Sequence, residues 1–271
     1  LQKKMLEAAR EMPFLGPNCY GYLNYLDHIY MWPDQHGGRT VKSGVAIIAQ
    51  SSNIAINLTM QSRSTPIAYV LTSGNQAKLD IADLGFAMIE DPRVTAIGFY
   101  IEGIKDLRKF ERMSQLALKM NKPIIALKSG KTNSSRSQSF SHTASITGNS
   151  DISNAFLERL GIVEVNDLDI FLESLKVFHI AGRMKNSSVI SVSCSGGEAS
   201  LVSDFSILTS LKFPKFSTEK SRQISHILGN MVEISNPFDY HTFIWGDTKR
   251  MAKLFTTICQ KTRSLVIFVL D

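Results

Sequence analysis

The chain has 271 residues, 44% hydrophobic and 20% charged, enough for roughly two domains with a sizeable core. No apolar run reaches the ~20 residues of a membrane-spanning helix, and the first residues lack a basic-then-apolar leader pattern, so the expected location is the cytoplasm without a membrane partner. The net charge of +6 is spread along the chain without a dense basic cluster, which argues against nucleic acid as a partner.

Three cysteines, Cys19, Cys194 and Cys259, are odd in number and show no metal-ligand spacing. They fit a reducing compartment without structural disulfides. No metal ligand set is expected in this segment.

Residues 1–12, LQKKMLEAAREM, predict a helix entered midway. Residues 13–40 read as a strand end and a connector, with the turn-rich GPNCYGYLN and the loop WPDQHGG. From residue 41 the pattern becomes regular. GVAIIAQ (44–50), IAYVLTS (67–73), TAIGFYIEG (95–103) and PIIALKS (123–129) are short apolar runs that predict buried strands. Helical segments separate them, at 53–63, 78–90 and 106–120. A long Ser/Thr/Gly loop follows, then a helix near 150–160, the short strand GIVEV and a helix near 167–181. This alternation predicts a parallel sheet covered on both faces, a flavodoxin-like domain over 41–182.

GRMKNS (182–187) reads as a linker, and the pattern restarts over 186–271. The strand SVISVSC precedes SGGEA, three helical stretches and the strand SLVIFVLD, which predicts a second, truncated flavodoxin-like domain. Both ends look cut, so the chain is expected to be a piece of a longer polypeptide.

Four constellations carry chemistry. Ser51, Ser52 and Asn53 lie between a strand and a helix, where they can cap the helix or hold a phosphate on its free N–H groups. Ser195, Gly196 and Gly197 occupy the same place in the second domain, as a tight turn or a second anion cradle, and the pair could face one common anion. Glu102 ends a buried strand, at the edge where ligands of open α/β sheets gather. It is either a capping or surface residue or the group that orients a histidine. His142 lies on the loop SQSFSHTASITGNSD, as a solvated side chain or a functional one, since long loops of this kind in compact domains are usually functional or disordered. His28, His36, His179 and His226 show no pattern. Trp245, in ISNPFDYHTFIWGD, is a core aromatic or the wall of an acyl pocket.

Taken in order, these stretches resemble the NDP-forming acyl-CoA synthetase superfamily, which includes ADP-forming acetate–CoA ligases and, more distantly, succinyl-CoA synthetase. GPNCYGYLN resembles the end of the family's CoA-binding domain, so residues 1–40 are expected to be its C-terminal remnant and a linker. VAIIAQSSNIAINL and SCSGGEASLVSD resemble its two helix entries, SGNQAKLDIADL its Gly-Asn loop, and NPFDY the motif that follows. YIEGI resembles the glutamate that steadies the catalytic histidine, and SFSHTASITGNSD the loop whose histidine is phosphorylated. Ser52 and Asn53 stand where many relatives carry Ser-Gly.

The resemblance implies an acid–CoA ligase that works through an acyl phosphate and a phosphohistidine on a mobile loop. His142 would be the phosphorylated nucleophile and Glu102 its orienting group. Asn18, Cys19, Gly74, Asn75 and Trp245 would contact CoA or the acyl group. Coenzyme A and ATP/ADP are the implied substrates, with Mg2+ in an ATP-grasp domain carried by the same chain or a second subunit of a homo- or hetero-oligomer. The segment alone should be inactive. Trp245 suggests an acid larger than acetate. The alternative is an acyl-CoA-binding regulatory part of a protein-lysine acetyltransferase. Such a sensor needs no phosphoryl carrier, so His142 with Glu102 favours the ligase.

Overall fold

The computed structural model describes residues 2–130, 150–184, 186–229 and 232–270. The chain divides into two compact units, Leu1–Arg183 and Met184–Asp271. The division falls within the stretch expected as a linker.

The first unit is built on a seven-stranded sheet of order β2-β1-β4-β3-β5-β6-β7, with β1 at Tyr22–Asn24 and β2 at Ile29–Met31. Its parallel strands are β3 (Gly44–Ala49), β4 (Ile67–Thr72), β5 (Val94–Ile101), β6 (Ile124–Lys128) and β7 (Val163–Val165). Every residue of β3 is buried, because the strand feeds two cores at once. Val45, Ile47 and Ala49 pack with Ala55 and Leu58 of α2 (Ser52–Met60) and Phe171, Leu172 and Leu175 of α6 (Leu168–Ala181). Ala46 and Ile48 face the opposite layer. There they join Ile81 and Met88 of α3 (Ile81–Glu90), Phe110 and Met113 of α4 (Leu107–Lys119), and Leu157 of α5 (Ser150–Arg159). Gly98 of β5 shows how tightly the first layer sits, since a Cβ there would lie 2.5 Å from the Phe171 ring.

Residues 1–40 depart from their expected place. After α1 (Gln2–Ala9), β1 (Tyr22–Asn24) and β2 (Ile29–Met31) form an antiparallel hairpin, and β1 pairs antiparallel with β4. The segment expected as a remnant and linker thus supplies the edge of the main sheet and buries Leu23 and Tyr25 in its core. Asn24 shapes the hairpin tip, its Oδ1 accepting the N–H groups of Leu26 and Asp27, both at 3.0 Å.

An ionic knot ties this hairpin to the start of β5. Arg93 donates to Asp27 at 2.8 Å and to Asp91 at 2.9 Å, and the Tyr69 hydroxyl donates to Asp91 at 2.8 Å. The Arg93 hydrogen bonds hold the Asp91 carboxyl down from 3.8 to about 2, while burial first and Asp91 second push Tyr69 up to about 12. A carboxylate whose pKa is depressed by folding adds stability above its unfolded pKa and loses it as pH falls through the folded value. Asp91→Asn is therefore expected to cost on the order of 1–2 kcal/mol at neutral pH after solvent screening. The gap to the wild type should close between pH 4 and 2. Urea unfolding midpoints across that range test this, and a constant gap would refute it.

In the second unit, β8 (Val189–Ser193) lies between β10 (Leu265–Phe268) and the two-residue β9 (Phe238–Asp239), all parallel. Ile190 and Val192 pack against α8 (Thr218–Leu228) and α9 (Thr248–Cys259) through Ile224, Leu228, Leu254 and Ile258. The helix α7 (Gly196–Ser206) follows β8 directly. The sequence places 234–247 in a loop, whereas the structure puts β9 inside it. Asn236 sets its register, accepting from Ser191 N–H at 3.0 Å and donating to the Val189 carbonyl at 2.8 Å.

Both units are therefore α/β, with mostly parallel sheets. No helix among the described residues is long and apolar enough to cross a membrane.

Candidate functional site

At the carboxyl edge of the first sheet, Gln50 and Ser51 follow the last residue of β3, and α2 begins. Ser51 caps the helix, its Oγ accepting from Ile54 N–H at 3.4 Å. Ser52 Oγ accepts from Tyr20 N–H at 3.0 Å. Both hydroxyls thus serve the fold while keeping their own O–H as a donor. Asn53 is exposed in the first turn. The backbone N–H groups of that turn have no intrahelical acceptor.

The segment 14–21 docks on the turn after β4. Asn75 N–H donates to Pro17 O at 2.9 Å and Ala77 N–H to Gly16 O at 2.8 Å. Thr72 Oγ1 accepts from Tyr20 N–H at 3.1 Å and Gly21 N–H at 2.9 Å. Asn18 Nδ2 donates to Asn75 Oδ1 at 3.4 Å. Gly74 has φ +51, and a Cβ there would lie 2.3 Å from the Pro17 carbonyl oxygen, so this approach requires glycine. Cys19 is half-buried, and burial pushes its thiol up, which keeps it protonated and a poor nucleophile. The structure therefore brings Asn18, Cys19, Ser51, Ser52, Gly74 and Asn75 to one edge.

Glu102 follows β5 on the same edge. Its backbone N–H and that of Gly103 both donate to Gln50 Oε1, the latter at 2.8 Å. Gln50 Nε2 donates back to the Gly103 carbonyl at 2.8 Å. Gln50 is only 5% exposed, a buried clamp that fixes the backbone of Glu102 against the end of β3. Burial pushes Tyr100 up, and the nearby charge of Glu102 adds to that shift. Ser129 N–H donates to Ile101 O at 2.9 Å, placing the start of the segment that leads to His142 beside Glu102's strand. His142 itself lies outside the described residues.

In the second unit, Ser195 caps α7 in a reciprocal box with Glu198. Glu198 Oε2 accepts from the N–H groups of Cys194 and Ser195, each at 3.1 Å. A carboxylate thus already occupies the donors of this turn, and the N–H groups of Gly196 and Gly197 are those left for an anion. Asp239, at the end of β9, brings its Oδ2 to 3.5 Å from a Cβ built on Gly196. Trp245 is not a core aromatic: it is 54% exposed, and its Nε1 donates to the Tyr240 hydroxyl at 3.4 Å.

A cavity of about 370 Å³ opens at the amino edge of the first sheet, between Gly37–Val41 and the end of α2. It lies at the opposite edge from the residues above. Among the described residues no group of three or more His, Cys, Asp or Glu could hold a metal.

Sequence reading missed the roles of Gln50, Thr72 and Asp239. The one available signal was polarity at the carboxyl end of an apolar run, as the last strand residue at Thr72 and Asp239 and the first residue after the strand at Gln50.

A family model described as succinyl-CoA ligase like flavodoxin domain matches residues 42–178. The alpha subunit of ADP-forming acetate–CoA ligase II from Pyrococcus furiosus is 30% identical over 261 residues, covering 93% of this chain and 55% of that protein. The ADP-forming 4-hydroxybutyrate–CoA ligase of Nitrosopumilus maritimus is 25% identical over 244 residues, covering 88% of this chain and 35% of that protein. The chain thus spans about half or less of the length of these relatives. Among solved structures, the acetyl-coenzyme A synthetase 1 of Ca. Korarchaeum cryptofilum in complex with phosphate and ADP superposes with a TM-score of 0.78 at 23% identity. That match covers 100% of this chain and 59% of the other. A protein from Pyrococcus horikoshii gives a TM-score of 0.81 at 22% identity, covering 100% and 58%. At these identities the structural likeness is one of fold.

Proposed function

The chain belongs to the succinyl-CoA ligase-like flavodoxin family of the NDP-forming acyl-CoA synthetase superfamily, and we propose that it is the acyl- and phosphate-handling portion of an ADP-forming acid–CoA ligase. The observation that carries this reading is the Gln50 clamp, which holds Glu102 at the carboxyl edge beside the N-terminus of α2.

In the thioester-forming direction, a neutral His142 nitrogen takes the terminal phosphoryl group of ATP, and ADP leaves. An ATP-grasp domain, in the same polypeptide or a second subunit, would supply the nucleotide site and Mg2+. The phosphoryl group then passes to the substrate carboxylate, giving an acyl phosphate, and CoA displaces phosphate. A carboxylate at Glu102 orients the imidazole and favours its charged form once phosphorylated. The free N–H groups at the start of α2 are donors for the phosphoryl oxygens. Asn18, Cys19, Gly74 and Asn75 form the surface for CoA or the acyl group.

The direct test is thioester formation by the complete enzyme from ATP, CoA and a panel of acids. Absence of any ATP- and CoA-dependent thioester would refute the reading.

Trp245 adds a claim about the acid. Its exposed indole offers a face to an aryl ring or a cationic head, contacts worth ~0.5–2 kcal/mol. The acid is then larger than acetate. Trp245→Ala should raise the KM for the acid roughly tenfold, equivalent to ~1.4 kcal/mol of binding, and leave ATP-driven labelling of His142 intact. Acetate as the best substrate would overturn this assignment.

A further inference from the structure

The stretch that carries Glu102 also carries Lys105, which the reading above does not use. Its Nζ donates to the carbonyl of Gln76 at 2.9 Å and to that of Ala77 at 3.2 Å. Both of those residues are buried, and among the described residues no other donor reaches either carbonyl. A buried carbonyl without a donor is costly, so Lys105 meets a need that the turn after β4 does not meet by itself. Lys109, one turn further on, is placed differently. Its ammonium pairs with Asp80 at 3.1 Å and Asp83 at 2.5 Å, an ionic link between α4 and the start of α3.

The turn that Lys105 closes is strained. Gly74 has φ +51 and Gln76 has φ +54. The second of these is a left-handed backbone that a residue with a side chain adopts at a cost, so it persists only where its surroundings impose it. Three sets of bonds do so. Asn75 and Ala77 donate their N–H groups to the carbonyls of Pro17 and Gly16. Gln76 Oε1 accepts from Ile81 N–H at 3.0 Å, at the start of α3. Lys105 supplies the third. Gln76 Nε2 also lies 3.5 Å from the Gly103 carbonyl, at the limit of a hydrogen bond, so Lys105 is the strong link between this turn and the Glu102 stretch. Glu102 does not need that link in return, because Gln50 fixes its backbone independently.

We infer that Lys105 is a positioning residue, which holds the Gly74–Asn75 turn in the conformation that presents its surface to CoA or the acyl group; this rests on the ligase reading. Without Lys105 the strained turn relaxes for part of the time. The apparent affinity for whatever the turn contacts then falls in proportion to the fraction that remains competent. The bound turn is the same in either case, so the loss falls on KM and not on kcat.

The test uses Lys105→Met in the complete enzyme, which keeps the apolar stem and removes the donors. In thioester formation from acyl phosphate and CoA, the KM for CoA or for acyl phosphate should rise about tenfold with kcat little changed. ATP-driven labelling of His142 should keep its rate, because the Gln50 clamp is intact. Amide hydrogen exchange should quicken in the peptide spanning residues 73–77 and stay as in the wild type at Gly103. Unchanged KM values overturn the role of Lys105 and leave the ligase reading standing. So does unchanged exchange over 73–77, since the turn then holds its shape without Lys105. Joint loss of labelling, kcat and the urea unfolding midpoint marks general damage, and overturns it too. A wild-type enzyme that forms no thioester overturns the ligase reading, and this inference with it.

Discussion

His142→Ala in the complete enzyme is expected to abolish the phosphoenzyme and, with it, ATP-driven thioester formation. The alcohols and amides that flank it in SQSFSHTASITGNSD are poor acceptors for a phosphoryl group that must later leave again, and the carboxylate of the stretch, Asp151, belongs to the helix α5 and not to the residues beside His142. Incubation with labelled ATP should give acid-labile, base-stable label on the wild type and none on the variant. In the proposed reaction the second half does not pass through this side chain. Acyl phosphate and CoA should therefore still give thioester in the variant. Normal labelling of His142→Ala would remove the central claim. Loss of both half-reactions, with a lowered unfolding midpoint, would make the residue structural.

The parts legible in the sequence were those whose residues answer to one local rule. β3 to β6 are β-branched apolar runs because both of their faces are buried, and the helices between them carry their own caps. Asp80 caps α3, Asp106 caps α4 and Asp167 caps α6. The β1–β2 hairpin was illegible for the opposite reason. Its strands are three residues each, and Ile29–Met31 is exposed along its whole length, so no alternation marks it. β9 is two residues long and exists because Asn236 and β8 hold it.

The site divides in the same way. Glu102 was legible as a charge at the end of an apolar run. Its Gln50 clamp was not, since the two lie 52 positions apart and meet only because β3 and β5 are neighbours. The Ser195–Glu198 box is written in the sequence as serine followed three residues later by glutamate, a start signal for helices that the reading of this stretch as a tight turn or anion cradle passed over. It changes the chemistry of that turn, because the helix N-terminus offered to phosphate already carries a carboxylate. The two helix entries are thus alike in sequence and unlike in charge. The start of α2 has no acidic residue in its first turn, and that of α7 has Glu198. On electrostatic grounds the start of α2 is the more favourable of the two for an anion.

Glu102→Gln is expected to slow phosphohistidine formation by at least about 10²-fold, the lower range for a positioned acid–base group. The structure makes this substitution an unusually clean one. Gln50 holds Glu102 through its backbone N–H and that of Gly103, so the clamp does not depend on the side chain that is changed. Glutamine keeps the shape and one acceptor oxygen, and removes the charge. What is lost is the preference for the imidazole tautomer with its proton towards Glu102 and its lone pair towards phosphorus. Lost with it is the stabilisation of positive charge on the ring as the N–P bond forms. Two measurements separate these losses from simple damage. The unfolding midpoint in urea should stay within error of the wild type, because the Gln50 hydrogen bonds are made by backbone N–H groups that the substitution leaves in place. Thioester formation from acyl phosphate and CoA should also be unaffected, since that step does not use His142. An unchanged rate of labelling in Glu102→Gln would reduce Glu102 to a residue that merely ends β5. A variant that labels slowly while it retains both the fold and the acyl-phosphate step would tie the charge at the carboxyl edge to the phosphoryl carrier alone.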